Sequence, residues 1–346
     1  MRWLLDRLGW PERAALTLLA LFVGWSWVAS VLGGRMPSLT SPYVLSPVVL
    51  AAGVALGQIV ATRVRTEIVV AGLIVVTTVL FLGAIWTDGP ALRPTGYANA
   101  NAALAVQVIG LCGLALLRAD RAQRIVLWLT AAGAVGVIAA NSSMAAFGVA
   151  VPLLVAVALM TWRPARHAWW AVLIGAASVA GVAIGVAHLA GQTRWPSVVL
   201  TALDAARKSL WSDALSLWEA QPVTGGGPGS LAEYSTLGSD PDTAAAHSSL
   251  LQVGAETGWI GVALFSLIIL AGLLWAARGS APYAVIGAAA WTALLVHSLT
   301  DHLIEFGPVV LAAGFTIGWA GAARTVDLGF ARSNSSGPEA VTATSG

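Results

Sequence analysis

Apolar residues gather into long unbroken runs, near 14–33, 43–62, 67–86, 97–117, 124–140, 143–162, 168–190, 257–277, 281–300 and 307–323, separated by charged or Pro/Gly-rich breaks. A helix of about 20 residues crosses a hydrocarbon core of roughly 30 Å. Continuous runs of this length predict transmembrane helices rather than the short alternating strands of a membrane barrel. The expected fold is therefore all-α and polytopic, with about ten transmembrane helices. The first run follows a charged stretch (Arg2, Asp6, Arg7, Glu12, Arg13) and lacks a small-x-small cleavage site, so it reads as a retained span and not a signal peptide.

The connections set an orientation. With a cytoplasmic N-terminus, thirteen of the 18 basic residues fall inside and five, Arg35, Arg93, Arg194, Arg207 and Lys208, fall outside. That asymmetry satisfies the positive-inside rule and predicts that both termini are cytoplasmic. Four segments follow: a seven-span bundle over 1–190, a long extracytoplasmic loop over 191–256, three C-terminal spans over 257–323, and a disordered cytoplasmic tail over 324–346, Ser/Gly/Thr/Ala-rich from Ser333. Within the loop, 198–219 places Leu200, Leu203, Leu210, Ala214, Leu217 and Trp218 at helical spacing. This predicts an amphipathic helix on the membrane surface or capping the bundle.

Composition narrows the class. Of 346 residues, 58% are apolar and 10% charged, with a mean hydropathy of +0.80, whereas soluble domains carry roughly 25% charge. A soluble globular protein is excluded, and a net charge of +2 gives no argument for nucleic acid as a partner. The single cysteine, Cys112, rules out a disulfide within the chain.

The candidate chemistry clusters in the long loop. Arg207 lies among apolar residues of the amphipathic segment, and a guanidinium forks onto diphosphate oxygens; a snorkelling surface arginine is the plainer reading. The turn Gly225-Gly226-Gly227-Pro228-Gly229 exposes backbone N–H groups of the kind that cradle anions, although glycines also make ordinary flexible loops. His247, where the loop returns to the membrane, suits a base that takes a proton from a hydroxyl. Glu256 stands at the edge of an apolar span. We read 248–256 as a short interfacial helix, with the span proper starting near Gly258 and Glu256 at the water boundary, either as a helix anchor or in a catalytic role.

Arg207, Trp211, Ala214 and Leu215, then Pro222, Gly225, Gly227 and Gly229, then His247, Ser248, Leu250, Glu256, Gly258 and Gly261 resemble the signature of the O-antigen ligase and polymerase family, bacterial enzymes that move glycans off polyprenyl diphosphate carriers. Arg93 to Ala103, with Asn99 and Asn101, is similar to a segment that opens a span in that family, and His297-Ser298-Leu299-Thr300-Asp301-His302 resembles the end of its penultimate span. Together these cover about the last three quarters of the chain. The resemblance implies a C-type glycosyltransferase-like membrane fold with its active site outside the membrane under the long loop, His247 as base and Arg207 as diphosphate binder. It also implies a polyprenyl-diphosphate-linked glycan as donor, and as acceptor an envelope glycan or glycolipid.

One motif departs from the family. Where its members carry a Ser-Arg-Gly-like motif entering a mid-chain span, this chain has Asn141-Ser142-Ser143-Met144-Ala145-Ala146. Arg93 or Arg194 would supply the missing cation, or the donor is handled differently, or transfer is lost. Substrate contacts are expected at Arg93, Asn99, Asn101, Arg194, Trp211, Gly225, Gly227 and Gly229. Asn99 and Asn101 also suit plain helix-start roles. No cofactor is expected. The competing readings are a metal-dependent transferase holding Mg²⁺ or Mn²⁺ at Asp240 and Asp242, a transporter using His188, Glu256 and His297, and a non-catalytic glycolipid-binding relative.

Overall fold

A computed structural model describes residues 9–86, 94–235, 237 and 243–323. Arg93, Asp240, Asp242 and the tail 324–346 lie outside the described residues. The helices are α1 (Trp10–Leu32), α2 (Pro42–Arg63), α3 (Thr66–Ile85), α4 (Ala98–Leu116), α5 (Arg121–Ala140), α6 (Met144–Trp162), α7 (Trp169–Ala190), α8 (Ser197–Ala220), α9 (Ser230–Tyr234), α10 (Ser249–Ala276), α11 (Ala281–Leu299) and α12 (Gly307–Ala322), with a 3₁₀ turn at Leu303–Glu305. Their starts follow local chemistry. Ser41, Ser143 and Ser248 accept backbone N–H bonds as N-caps, Asp120 and Gln123 form a capping box, and α2, α11 and α12 carry proline in their first turn.

Among the described residues, nine helices are long and apolar enough to cross a membrane. The tenth expected span, 307–323, is the 16-residue α12. At 1.5 Å per residue it reaches about 24 Å, short of a full core. The residues ahead of it form instead a compact connection, 300–306, that carries side chains of the site described below. α12 is held against α2 by two small-residue pairs. A Cβ on Gly53 or Gly57 would run into the carbonyls of Leu311 or Phe315, and one on Gly314 or Gly318 into those of Leu50 or Val54. Gly-x-x-x-Gly on both helices thus lets the backbones touch, which is how helices associate where lipid supplies no hydrophobic drive.

α4 and α11, from opposite halves of the chain, are the most deeply buried of the long helices and meet in the middle. α4 touches α3, α5, α6, α11 and α12; α11 touches α6, α7, α10 and α12. One apolar core runs through all of them.

The amphipathic helix expected over 198–219 is α8. It buries Leu210, Trp211, Ala214, Leu217 and Trp218 against the bundle, chiefly on α10. Its continuity is broken at Asp204 (φ 65°), whose Oδ1 accepts the Arg207 N–H at 2.8 Å, so that Asp204 caps the second half of the helix. α10 is broken in the same way at Gly258 (φ 64°), where the sequence pattern placed the start of the span proper.

Candidate active site

α4 opens from a tight turn. Thr95 donates through both its N–H (3.2 Å) and its hydroxyl (2.9 Å) to Asn101 Oδ1, and Gly96 takes a left-handed φ of +81°. Asn101 is fully buried, so it fastens this turn and does not line the cavity described below. The turn aims Tyr97 and Asn99 at Asp301, which follows the C-terminal end of α11.

Asp301 is 1% exposed and accepts hydrogen bonds from five donors. Tyr97 Oη lies 2.9 Å from both carboxylate oxygens, Asn99 Nδ2 at 2.6 Å, the His302 N–H at 2.8 Å, His302 Nδ1 at 2.9 Å and His247 Nδ1 at 3.2 Å. Arg207 adds its charge, with a guanidinium nitrogen 3.6 Å from Oδ2 and the other terminal nitrogen 2.9 Å from Asp204. The backbone carbonyl of Asp301 accepts from the Ser249 N–H (3.2 Å), which ties the connection to the start of α10. Burial pushes the carboxyl pKa upward, but the hydrogen bonds and charges of His247 and His302 outweigh it and hold Asp301 well below the usual carboxylate range. Burial, then the Asp301 charge, raises Tyr97 well above an ordinary phenol, so it remains a donor.

An ionised Asp301 fixes one tautomer of His247, with the proton on Nδ1 and Nε2 basic. The backbone at His247 is left-handed (φ 49°), a conformation that a β-carbon resists and that surrounding structure must enforce. His247 and Arg207 both line a cavity of about 760 Å³ beside the 191–256 connection, and Arg207 is the arginine that reaches it among the described residues.

The opposite wall differs from expectation. Glu256 is 1% exposed and does not sit at a water boundary. Its carboxylate accepts from Gln252 Nε2 (3.0 Å), from the Leu231 N–H (3.4 Å) at the start of α9 and from the Gly229 N–H, while the nearby Tyr43 hydroxyl donates to the Gln252 carbonyl (3.3 Å). The glycine turn is also spent internally. The N–H groups of Gly225, Gly226 and Gly227 donate to the carbonyls of Gln221, Ala255 and Glu256 at 2.9, 2.9 and 3.0 Å. The last two are carbonyls that the break at Gly258 releases from the helix ladder. The anion held by this turn is thus the protein's own Glu256, although Gly229 still lines the cavity.

Trp211 is fully buried against Trp195 (5.2 Å between centroids) and takes no part in the cavity wall. Arg194 is exposed on the connection before α8 and does not line the cavity either. In the 141–146 stretch, Asn141 donates to the Val137 carbonyl and Ser143 caps α6; neither reaches the cavity. Among the described residues, His247, Asp301 and His302 place ligand atoms within 4.8 Å of one another and could hold a metal ion.

Sequence reasoning missed Asp301, Tyr97, His302 and Glu305 as site residues. The signal was present: a carboxylate and a histidine together where an apolar span ends are costly unless partnered.

The O-antigen ligase family model, Wzy_C, matches residues 125–266. The match contains Arg207, the glycine turn, His247 and Glu256, and it supports assigning the chain to the O-antigen ligase/polymerase family. No curated protein matches the chain. With nine candidate spans, the match points to a glycosyltransferase-like protein of a bacterial inner membrane.

Proposed function

We propose that the chain transfers a glycan from a polyprenyl diphosphate carrier to an acceptor hydroxyl on the outer face of the cytoplasmic membrane, with inversion and without a metal. The observation that carries this reading is that one buried carboxylate, that of Asp301, joins His247 and Arg207 at one cavity.

His247 Nε2 takes the acceptor proton as the oxygen attacks the anomeric carbon from the face opposite the leaving group. Asp301 orients the ring and stabilises the imidazolium that forms. The bond from the anomeric carbon to the phosphate oxygen breaks, and its electron pair leaves on the diphosphate. Arg207 offsets that charge. A diphosphate leaves readily, so alignment of the reactants carries most of the rate. Beside the cavity, and sharing Pro42, Tyr43, Gln252 and Glu305 with its wall, lies an apolar crevice among α1, α2 and α10, lined by Leu19, Phe22, Leu50, Phe265 and Ile268, whose apolar character suits the carrier's isoprenoid tail.

Purified full-length chain, given lipid-linked glycan and acceptor, should transfer in EDTA at its untreated rate, while His247→Ala should abolish product and leave the protein monodisperse. Loss of activity on chelation moves the assignment to a metal held by His247, Asp301 and His302, and near-normal product from the alanine variant removes the base.

A further inference from the structure

Arg207 lines the cavity, but two acids already match its charge, Asp204 at 2.9 Å and Asp301 at 3.6 Å. A lipid diphosphate esterified at both ends brings two negative charges, and Glu256 and Glu305 also line the space it would enter. A second arginine stands behind the glycine turn. Arg35 follows the C-terminal end of α1, between Ser30 and Met36, which both line the cavity, and its guanidinium stops at the edge formed by Gly229. A Cβ on Gly229 would stand 3.7 Å from a terminal nitrogen of Arg35, and one on Gly227 would stand 3.1 Å from its Cδ. The side chain therefore lies along the bare face of the turn.

The two ends of Arg35 are held differently. Its root is fixed: the Arg35 N–H donates to the Ser30 carbonyl at 2.8 Å, Gly34 takes a left-handed φ of +73°, and Gly33 packs so closely on the Gly226 carbonyl that a Cβ would overlap it. Its head is clasped by Glu233 on α9, with Nη1 donating to Oε1 at 2.9 Å and Nη2 to Oε2. The Glu233 side chain is 71% exposed, so water can take over its carboxylate when the guanidinium leaves, and exposed pairs hold weakly. A planar fork that meets two carboxylate oxygens meets two phosphate oxygens in the same way.

We propose that Arg35 is a second cation of the donor site, kept in reserve by Glu233: as a lipid diphosphate enters, the guanidinium releases the carboxylate, passes over Gly229 and forks onto phosphate oxygens, adding its charge to that of Arg207. This rests on the carrier-lipid reading above. Without donor the charge is neutralised by Glu233, and it is given up only to an anion that binds it better than an exposed carboxylate does. The turn then serves the anion through the side chains it lacks, since its N–H groups at Gly225, Gly226 and Gly227 are taken by the protein's own carbonyls.

The test measures Kd for the full-length chain in nanodiscs with a short-chain polyprenyl diphosphate bearing one N-acetylhexosamine, without acceptor, at fixed pH and ionic strength. Arg35→Gln should weaken binding by about tenfold, the loss of a charge-assisted contact. Glu233→Gln should tighten it by about threefold, because the guanidinium no longer has a partner to leave. In the double variant, Arg35→Gln with Glu233→Gln, that gain should vanish and the Kd should match Arg35→Gln alone. Removing an acid near an anion site also tightens binding through the field; a gain of that origin survives without Arg35 and overturns the inference. A Glu233→Gln variant that weakens binding marks the pair as a structural clasp between α1 and α9 and overturns it too, as does unchanged binding in either single variant. Each of these failures leaves wild-type binding, and the carrier-lipid reading, in place. A wild type that binds no probe ends that reading and this inference with it.

Discussion

Asp301 concentrates the site's dependence in one side chain, because Tyr97, Asn99, His247, His302 and Arg207 all converge on its two oxygens. In Asp301→Asn the amide must turn an NH₂ toward one of those donors, and the charge that opposes Arg207 and an imidazolium is gone. General base catalysis is worth about a hundredfold or more, so the rate of transfer should fall by at least about a hundredfold. Tyr97→Phe removes a single donor and should cost about tenfold or less. Initial rates on purified variants check both; an Asn variant as active as wild type would mean that Asp301 does not orient His247. Because the proton affinity of Asp301 is lowered by folding, its charge contributes stability above the ordinary carboxylate range, and that stability is lost only as pH falls through its depressed pKa. pH effects near neutrality therefore belong to other groups. The residues of the hub were not equally legible. His247 and Arg207 stood out by spacing and resemblance, but a carboxylate 54 residues after His247 and 204 after Tyr97 becomes a partner only once the chain has folded. The glycine turn misled for the opposite reason, since local pattern identifies available N–H groups without showing which carbonyls or carboxylates take them.

The two breaks decide how the helices serve the site. At Gly258 the ladder of α10 is interrupted, and the carbonyls released there hold the 225–227 turn, which in turn leads to the α9 N-terminus that receives Glu256. A Cβ at Gly258 would collide with the carbonyl carbon and oxygen of Val223 while demanding a positive φ. Gly258→Ala should therefore cost about 2–4 kcal/mol, from backbone strain and overpacking together. Gly72→Ala on the exposed face of α3 meets nothing within 4 Å and should fall within about 1 kcal/mol, on the stabilising side. Denaturation midpoints in mixed detergent micelles compare the two, and equal midpoints would show that the break is dispensable. α1 begins at Trp10 against an expected 14, and the tenth run yields only the 16-residue α12. Several other spans were readable to within a residue or two, as α2 at Pro42–Arg63 against an expected 43–62, because apolar length dictates them. The break at Asp204 was not, because the apolar spacing of α8 runs straight through it. Nor was the contact of α2 with α12, which rests on glycines whose value appears only when two helices meet.

Across the whole molecule the cavity must lie on the outer side for the proposed chemistry, and the distribution of arginine argues that it does. α5 starts beside Arg118, Arg121 and Arg124; three crossings later, through α5, α6 and α7, the chain arrives at Gly191–Trp195, ahead of the helix that carries Arg207. Arg63, Arg65, Arg163, Arg166 and Arg278 join the first group at the opposite end from the cavity, as a cytoplasmic face requires. The sole cysteine, Cys112, is fully buried, so a Cys112→Ala background gives a clean ground for accessibility labelling. In intact cells a membrane-impermeant maleimide should modify Thr193→Cys, on the exposed connection before α8, and spare Arg121→Cys. After permeabilisation it should modify both. Labelling of Arg121→Cys alone in intact cells would place His247, Asp301 and Arg207 at the cytosolic face. A glycan already carried outside on its lipid could not then reach them, and the transfer reading would fall even if every contact at the hub were correct.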